Sequence, residues 1–209
     1  MTYTHGSSSE SEFKMIHSLV ERVLRAPLGS GQQWSLQGFG MLRLYMPDKA
    51  LRLHVWDSRY GVPKVSLHHD HPWDFSSLII AGRLRNIRYT KEVDSGITLG
   101  QSSDIYNEQT IQCGPGGCVK SDPVPVRLFE HPVELYEAGD WYRQAANEIH
   151  MSAPEDGTVT LIDRTFNPDT EHARVFWQGP AWVSAEPREA TSDEVISITS
   201  NAIKTWFIK

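Results

Sequence analysis

A mainly β chain carrying one helix near each end is the fold class this sequence predicts, and three observations predict it. From about Trp34 onward, short apolar or alternating runs are set apart by Gly, Pro, Asn and Asp, the punctuation of strands and turns. Those runs follow one another without helical patterns between them, which favours a barrel or sandwich over alternating βαβ units. Helical spacing shows instead at the two ends. With 209 residues, 39% of them hydrophobic, seven Trp and a formal net charge of −6, the chain has the material for one well-filled domain, 1–209.

Residues 1–9 are polar and Ser-rich and read as a flexible tail. Ser9 and Glu12 then stand at the spacing of a capping box, ahead of Phe13, Ile16, Leu19, Val20, Val23 and Leu24 on one helical face. A helix over 10–26 follows, stopped by Pro27 and Gly29. The β region spans 34–183, in the runs SLQGFGMLRLYMP, ALRLHVWD, VSLHHDH, FSSLIIAGRLRNIRYT, VRLFEHPVELYEAGDWYRQ and TVTLIDRTF. Within it, residues 91–132 are polar with Gly and Pro clusters, an excursion of the kind that covers a site or an interface. Thr191 and Glu194 repeat the capping-box spacing before Val195, Ile198, Ala202, Ile203 and Trp206, which predicts a helix over 191–208.

Several classes of function are excluded on composition. No apolar run approaches the roughly 18 residues of a membrane span, and MTYTHGSSSESE lacks the basic and apolar regions of a signal peptide, so the expectation is a cytoplasmic protein without a membrane partner. Mild acidity and the absence of Lys/Arg runs argue against nucleic acid. Cys113 and Cys118 flank GPGG at a spacing that is neither a zinc ribbon nor a redox motif; they read as reduced, facing residues of a hairpin.

The chemistry concentrates in HHDHPWDFSSLIIAG, residues 68–82. Alternate side chains of a strand share a face, so His69 and His71 point one way and His68 and Asp70 the other. The first pair offers two imidazoles to a divalent metal that finds a third ligand elsewhere. The second begins a two-histidine, one-carboxylate triad of the non-haem iron type.

Spacing brings in a resemblance to the cupin superfamily, whose first motif runs G(x)5HxH(x)3–4E(x)6G and whose second runs G(x)5PxG(x)2H(x)3N. With His69 and His71 as the pair, Gly82 falls on the closing glycine and Phe75 on the glutamate ligand, while Gly61 precedes His69 by seven intervening residues rather than five. In GDWYRQAANEIHMSAP, Gly139 and His150 keep the family's separation, with Ala145 and Asn147 where proline and glycine are usual and Pro154 in place of the final asparagine. Asn147 is a plausible stand-in because Asn tolerates the left-handed conformation. The resemblance covers Leu51 to Asp163 and is nearest to small cysteine-dioxygenase-like cupins. It implies a double-stranded β-helix (jelly-roll barrel), a homodimer, and a metal shell of His69, His71 and His150. It implies Fe(II) first, with Ni, Zn, Mn or Cu as other occupants, and an oxygenase acting on a small-molecule substrate. Fe(II)/2-oxoglutarate oxygenases also resemble this chain, through His68, Asp70, His150 and a downstream Arg164, although Phe166 stands where they have Ser or Thr. A metal-dependent isomerase or lyase and a non-catalytic binding cupin complete the range.

Other residues are candidates for the pocket. Arg52, His54 and Trp56 share one face of their strand, which looks either inward toward the metal or outward to water. Arg83 and Arg85 have the alternation and chemistry to clamp a carboxylate, or else they line a solvated rim. Trp73 and Phe75 are core or pocket wall. Tyr142 is a proton donor or a packing residue, and His54 shares the role of proton carrier with it. Asp74 either orients a ligand imidazole or caps a turn.

Overall fold

The structure, a computed structural model, describes residues 6–7, 9–29, 31–46, 50–92, 104–114, 117–167, 169–170, 172–179, 182 and 186–208. Most of the predicted 1–9 tail lies outside them. Helix α1 (Glu10–Arg25) begins at the expected capping box, with Ser9 accepting from the Glu12 N–H and Glu12 reaching back to Ser9. Helix α2 (Ser192–Ala202) is capped in the same way by Thr191 and Glu194. Between and around the helices run β1 (Gly6–Ser7), β2 (Trp34–Gln37), β3 (Phe39–Tyr45), β4 (Leu51–Gly61), β5 (His68–His69), β6 (Trp73–Ala81), β7 (Arg83–Glu92) and β8 (Ile105–Gly114). The series continues with β9 (Gly117–Lys120), β10 (Val124–Glu130), β11 (Glu134–Glu137), β12 (Asp140–Gln144), β13 (Ile149–Pro154), β14 (Val159–Phe166), β15 (Ala173–Trp177) and β16 (Arg188–Glu189).

The strands form two antiparallel sheets. One has the order β1-β12-β6-β14-β4-β3-β2-β16, the other β10-β7-β13-β5-β15-β8-β9 with β11 also on β7. Because β10 pairs with both β7 and β8, the second sheet closes on itself. The two faces of the first sheet differ in chemistry. Leu42, Leu44, Leu53, Val55, Ile80 and Val159 pack beneath Val20 and Leu24 of α1 and Val195, Ile198 and Ala202 of α2. Burying each such side chain contributes about 1.5–3 kcal/mol. The alternate residues of the same strands, among them Arg43, Arg52, His54, Ser77 and Thr160, are also buried, on the face turned from the helices. There Phe75, Ile79 and Tyr142 meet Leu84 and Tyr136 of the second sheet.

Three expectations change in detail. The strand foreseen in VSLHHDH contracts to the two residues of β5, beyond which the Asp70 N–H still donates to the Arg174 carbonyl at 3.0 Å. The described part of the 91–132 excursion is largely regular, forming β8, β9 and β10 of the second sheet; residues 93–103 and 115–116 lie outside the described residues. Cys113 and Cys118 are register partners across β8 and β9. The C-terminal helix departs from α geometry at Ile203–Phe207, a π-helical turn that seats the Trp206 indole N–H on the Asp156 carbonyl at 3.2 Å. No helix among the described residues is long and apolar enough to cross a membrane.

Candidate metal centre

β5 is a short strand between β13 and β15, with His69 in register with both His150 and Val175. That pairing sets His69 beside His150, ring centroids 4.7 Å apart. His71 follows just beyond the strand and keeps its alternation, at 4.8 Å from His69 and 5.2 Å from His150. The potential ligand atoms of the three all lie within 4.8 Å of one another, the one such His/Cys/Asp/Glu group found among the described residues. A tetrahedral site with metal–nitrogen bonds of about 2.0–2.1 Å sets its nitrogens roughly 3.4 Å apart, so small rotations close the set. The three-histidine group is therefore compatible with a divalent metal.

The backbone orients two of the rings. His69 Nδ1 lies 2.9 Å from the Leu67 carbonyl and His150 Nδ1 3.2 Å from the Glu148 carbonyl. A carbonyl only accepts, so Nδ1–H donates in both, which leaves Nε2 as the free lone pair. His71 is held by stacking on Trp73 at 5.1 Å. Burial pushes His69 below the ordinary imidazole value and His71 and His150 well below it, and the neighbouring imidazoles push the latter two further. All three rings are thus neutral near pH 7, the form that binds metal. Phe75 turns its ring toward His71 at 5.6 Å and His150 at 6.0 Å, which gives the histidine group an apolar wall.

The loop before His150 is tied down at each residue. Asp74 accepts from the Ala146 N–H at 2.7 Å, so it braces this loop and does not orient an imidazole. The Asn147 N–H donates to the His71 carbonyl at 2.9 Å, and Asn147 sits at φ 60°, the left-handed conformation that Asn tolerates. Glu148 accepts from the Ala145 N–H and pairs with the buried Arg88, which also pairs with Glu134.

His68 and Asp70 go elsewhere. His68 makes edge contacts with Tyr89 and Tyr106. Asp70 is buried and accepts from both the backbone N–H and the guanidinium of Arg174, so the structure does not gather His68, Asp70 and His150. Arg83 and Arg85 occupy the exposed face of β7, Arg83 paired with Glu137 at 2.9 Å, while Leu84 and Asn86 point inward. Of the two alternatives, a carboxylate clamp or a solvated rim, the exposed positions of both residues on β7 match the rim.

His54 resolves inward. It is buried, neither ring nitrogen has a hydrogen-bond partner, and burial followed by the charges of Arg43, Arg52 and Arg164 pushes its pKa well down. Tyr142 is buried and stacked on Tyr136 at 4.5 Å, with Phe75 lying between it and His150. Burial raises its pKa, partly offset by the Ser77 and Ser152 hydroxyls. Sequence reading missed Arg43 as part of this interior, although Arg43 alternates with Leu42 and Leu44 and is in register with His54. No family model matches this chain, and no curated protein matches it.

Proposed function

We propose that this protein is a cupin-type oxygenase in which His69, His71 and His150 hold Fe(II) and a small polar organic substrate reacts with O2. The observation that supports the reading is the convergence of three neutral imidazoles, His150 buried and His69 and His71 half-buried, with Nε2 left as the free lone pair on two of them. Nitrogen donors of this kind also suit Ni, Zn, Mn or Cu, so the ligand set leaves the ion to be measured. When bound, iron supplies the one-electron chemistry with O2 that no side chain provides. The chain's own part is to orient and to exclude water. Trp73 and Phe75 wall the histidines, and the hydrogen bonds of Asp74 and Glu148 keep the His150 loop in place. With no carboxylate among the ligands, the charge of a divalent ion is left for the substrate to balance, which favours an anionic one.

The test is elemental analysis of anaerobically purified protein beside His71→Ala and Asp70→Asn, the latter keeping hydrogen-bonding capacity toward Arg174. Expected is near-stoichiometric iron in the wild type and in Asp70→Asn, and its loss from folded His71→Ala. Stoichiometric metal in His71→Ala would overturn the ligand assignment. A second reading, a metal-dependent isomerase or lyase, draws on His54 as proton carrier, its two ring nitrogens being buried and unpartnered among the described residues. Turnover that persists without O2 decides for it.

A further inference from the structure

Buried arginines in this protein come in two kinds. Buried Arg88 is matched by Glu134 and Glu148, as the half-buried Arg174 is by Asp70 and Glu108. Arg43 and Arg52 are buried much as Arg88 is, at 6% and 9% exposure, yet among the described residues neither pairs with a carboxylate. Their guanidiniums rest on aromatic faces instead, and the Arg43 Nε–H donates to Ser35 Oγ at 3.3 Å. Arg43 and Arg52 both lie 4.7 Å from the Tyr45 ring, and Arg52 and Arg164 lie 5.5 and 4.9 Å from the Trp73 ring. The result is a row of alternating guanidiniums and aromatics, partly open to solvent at Tyr45 and ending at Trp73, on which His71 stacks.

Two further atoms point into the same region. Among the described residues, the Arg52 Nε and both nitrogens of His54 are buried without a hydrogen-bond partner. Such groups are costly unless a ligand completes them. The surroundings of Arg52 carry the same message: burial, then the charge of Arg164, lowers its pKa to about 9. Register ties this row to the histidines, since Arg164 is opposite Phe75, and the Phe75 ring faces His71 and His150.

The geometry points to a binding site for a dianionic oxyanion group, a phosphomonoester or a dicarboxylate, held by Arg43, Arg52 and His54 beside the histidine centre. A single negative charge leaves at least one of the two buried guanidiniums uncompensated; two charges match them. Planar guanidinium groups recognise phosphate and carboxylate oxygens alike, and the neutral His54 ring adds one N–H donor. That this anion is the substrate rests on the oxygenase reading; the site itself does not.

Calorimetric titration of metal-free protein, in a chloride-poor zwitterionic buffer, with inorganic phosphate, succinate and acetate tests the site apart from any turnover. Expected is binding of phosphate or succinate at least tenfold tighter than acetate, the stronger of the two naming the source of the charge. Arg52→Gln and Arg43→Gln should each weaken that binding at least tenfold, with the outward-facing Arg85→Gln as the unaffected control. In anion-free buffer Arg52→Gln should also melt no lower than the wild type, because it removes an uncompensated buried charge; this separates lost binding from lost folding. Dianions binding no tighter than acetate, or binding unchanged in a folded Arg52→Gln, would overturn the proposal. His71→Ala should lose metal yet keep dianion binding, so failure of the metal reading and failure of this one are read in different columns.

Discussion

At the scale of single residues, backbone conformation decides more than side-chain identity around the site. Asn147 holds φ 60° in the loop that delivers His150. Asn147→Gly should therefore leave stability nearly unchanged while Asn147→Val costs about 1–2 kcal/mol in urea unfolding, the left-handed penalty of a bulky residue. Gly82, at φ 86°, permits no side chain at all: a Cβ there would sit 2.5 Å from Thr158 Oγ1 and 2.8 Å from Thr158 Cα. Gly82→Ala should lose at least the ~1–3 kcal/mol of backbone strain, with the clash added. Phe75→Ala should cost about 3–5 kcal/mol by opening a cavity against the histidines. His69, His71, His150 and Asn147 were legible because spacing carries information about them. The orientation of Arg83 and Arg85 was not, since alternation tells which residues share a face but not which face is inside.

Among the elements, the helix starts were the most readable, because a capping box is local chemistry that tertiary packing rarely overrides. Thr191→Ala should lower stability by about 0.5–2 kcal/mol through loss of the bond to the Glu194 N–H. Glu194 adds a pH signature. Hydrogen bonds from Arg188 foremost, then the Thr191 N–H, hold its carboxyl down at about 2 against an ordinary 4.5. Its contribution is complete above about 4.5 and is lost as pH falls through about 2, because the unfolded chain takes up the proton first. Urea midpoints measured from pH 5 to 2 should fall more steeply for the wild type than for Glu194→Gln. Strands β8 and β10 were harder to see. The IYNEQTIQ run alternates weakly, with half-buried polar side chains along most of its length, and its membership of the sheet comes from partners such as Val126 and Phe176 that are distant in sequence.

For the whole molecule, the two helices roof the apolar face of the first sheet, where Leu42, Leu53, Val55 and Ile80 are fully buried. Removing residues 191–208 should uncover that face, with dye binding to exposed apolar surface and aggregation as the readout. A mainly β architecture was legible from punctuated runs; the strand order was not, since it depends on long-range partners that no local pattern names. The shortest strand has the widest consequence. β5 carries His69 between strands that lie about 80 and about 105 residues further along the chain, so at a synthesis rate of roughly 5–20 residues per second His69 and His71 wait several seconds for His150 to exist. Two ligands of three hold an ion weakly, and the third arrives only with non-local pairing. On the proposed metal reading, capture of the ion is a late event in the life of each molecule, unable to nucleate the fold, and its occupancy reports that His150 has paired with His69.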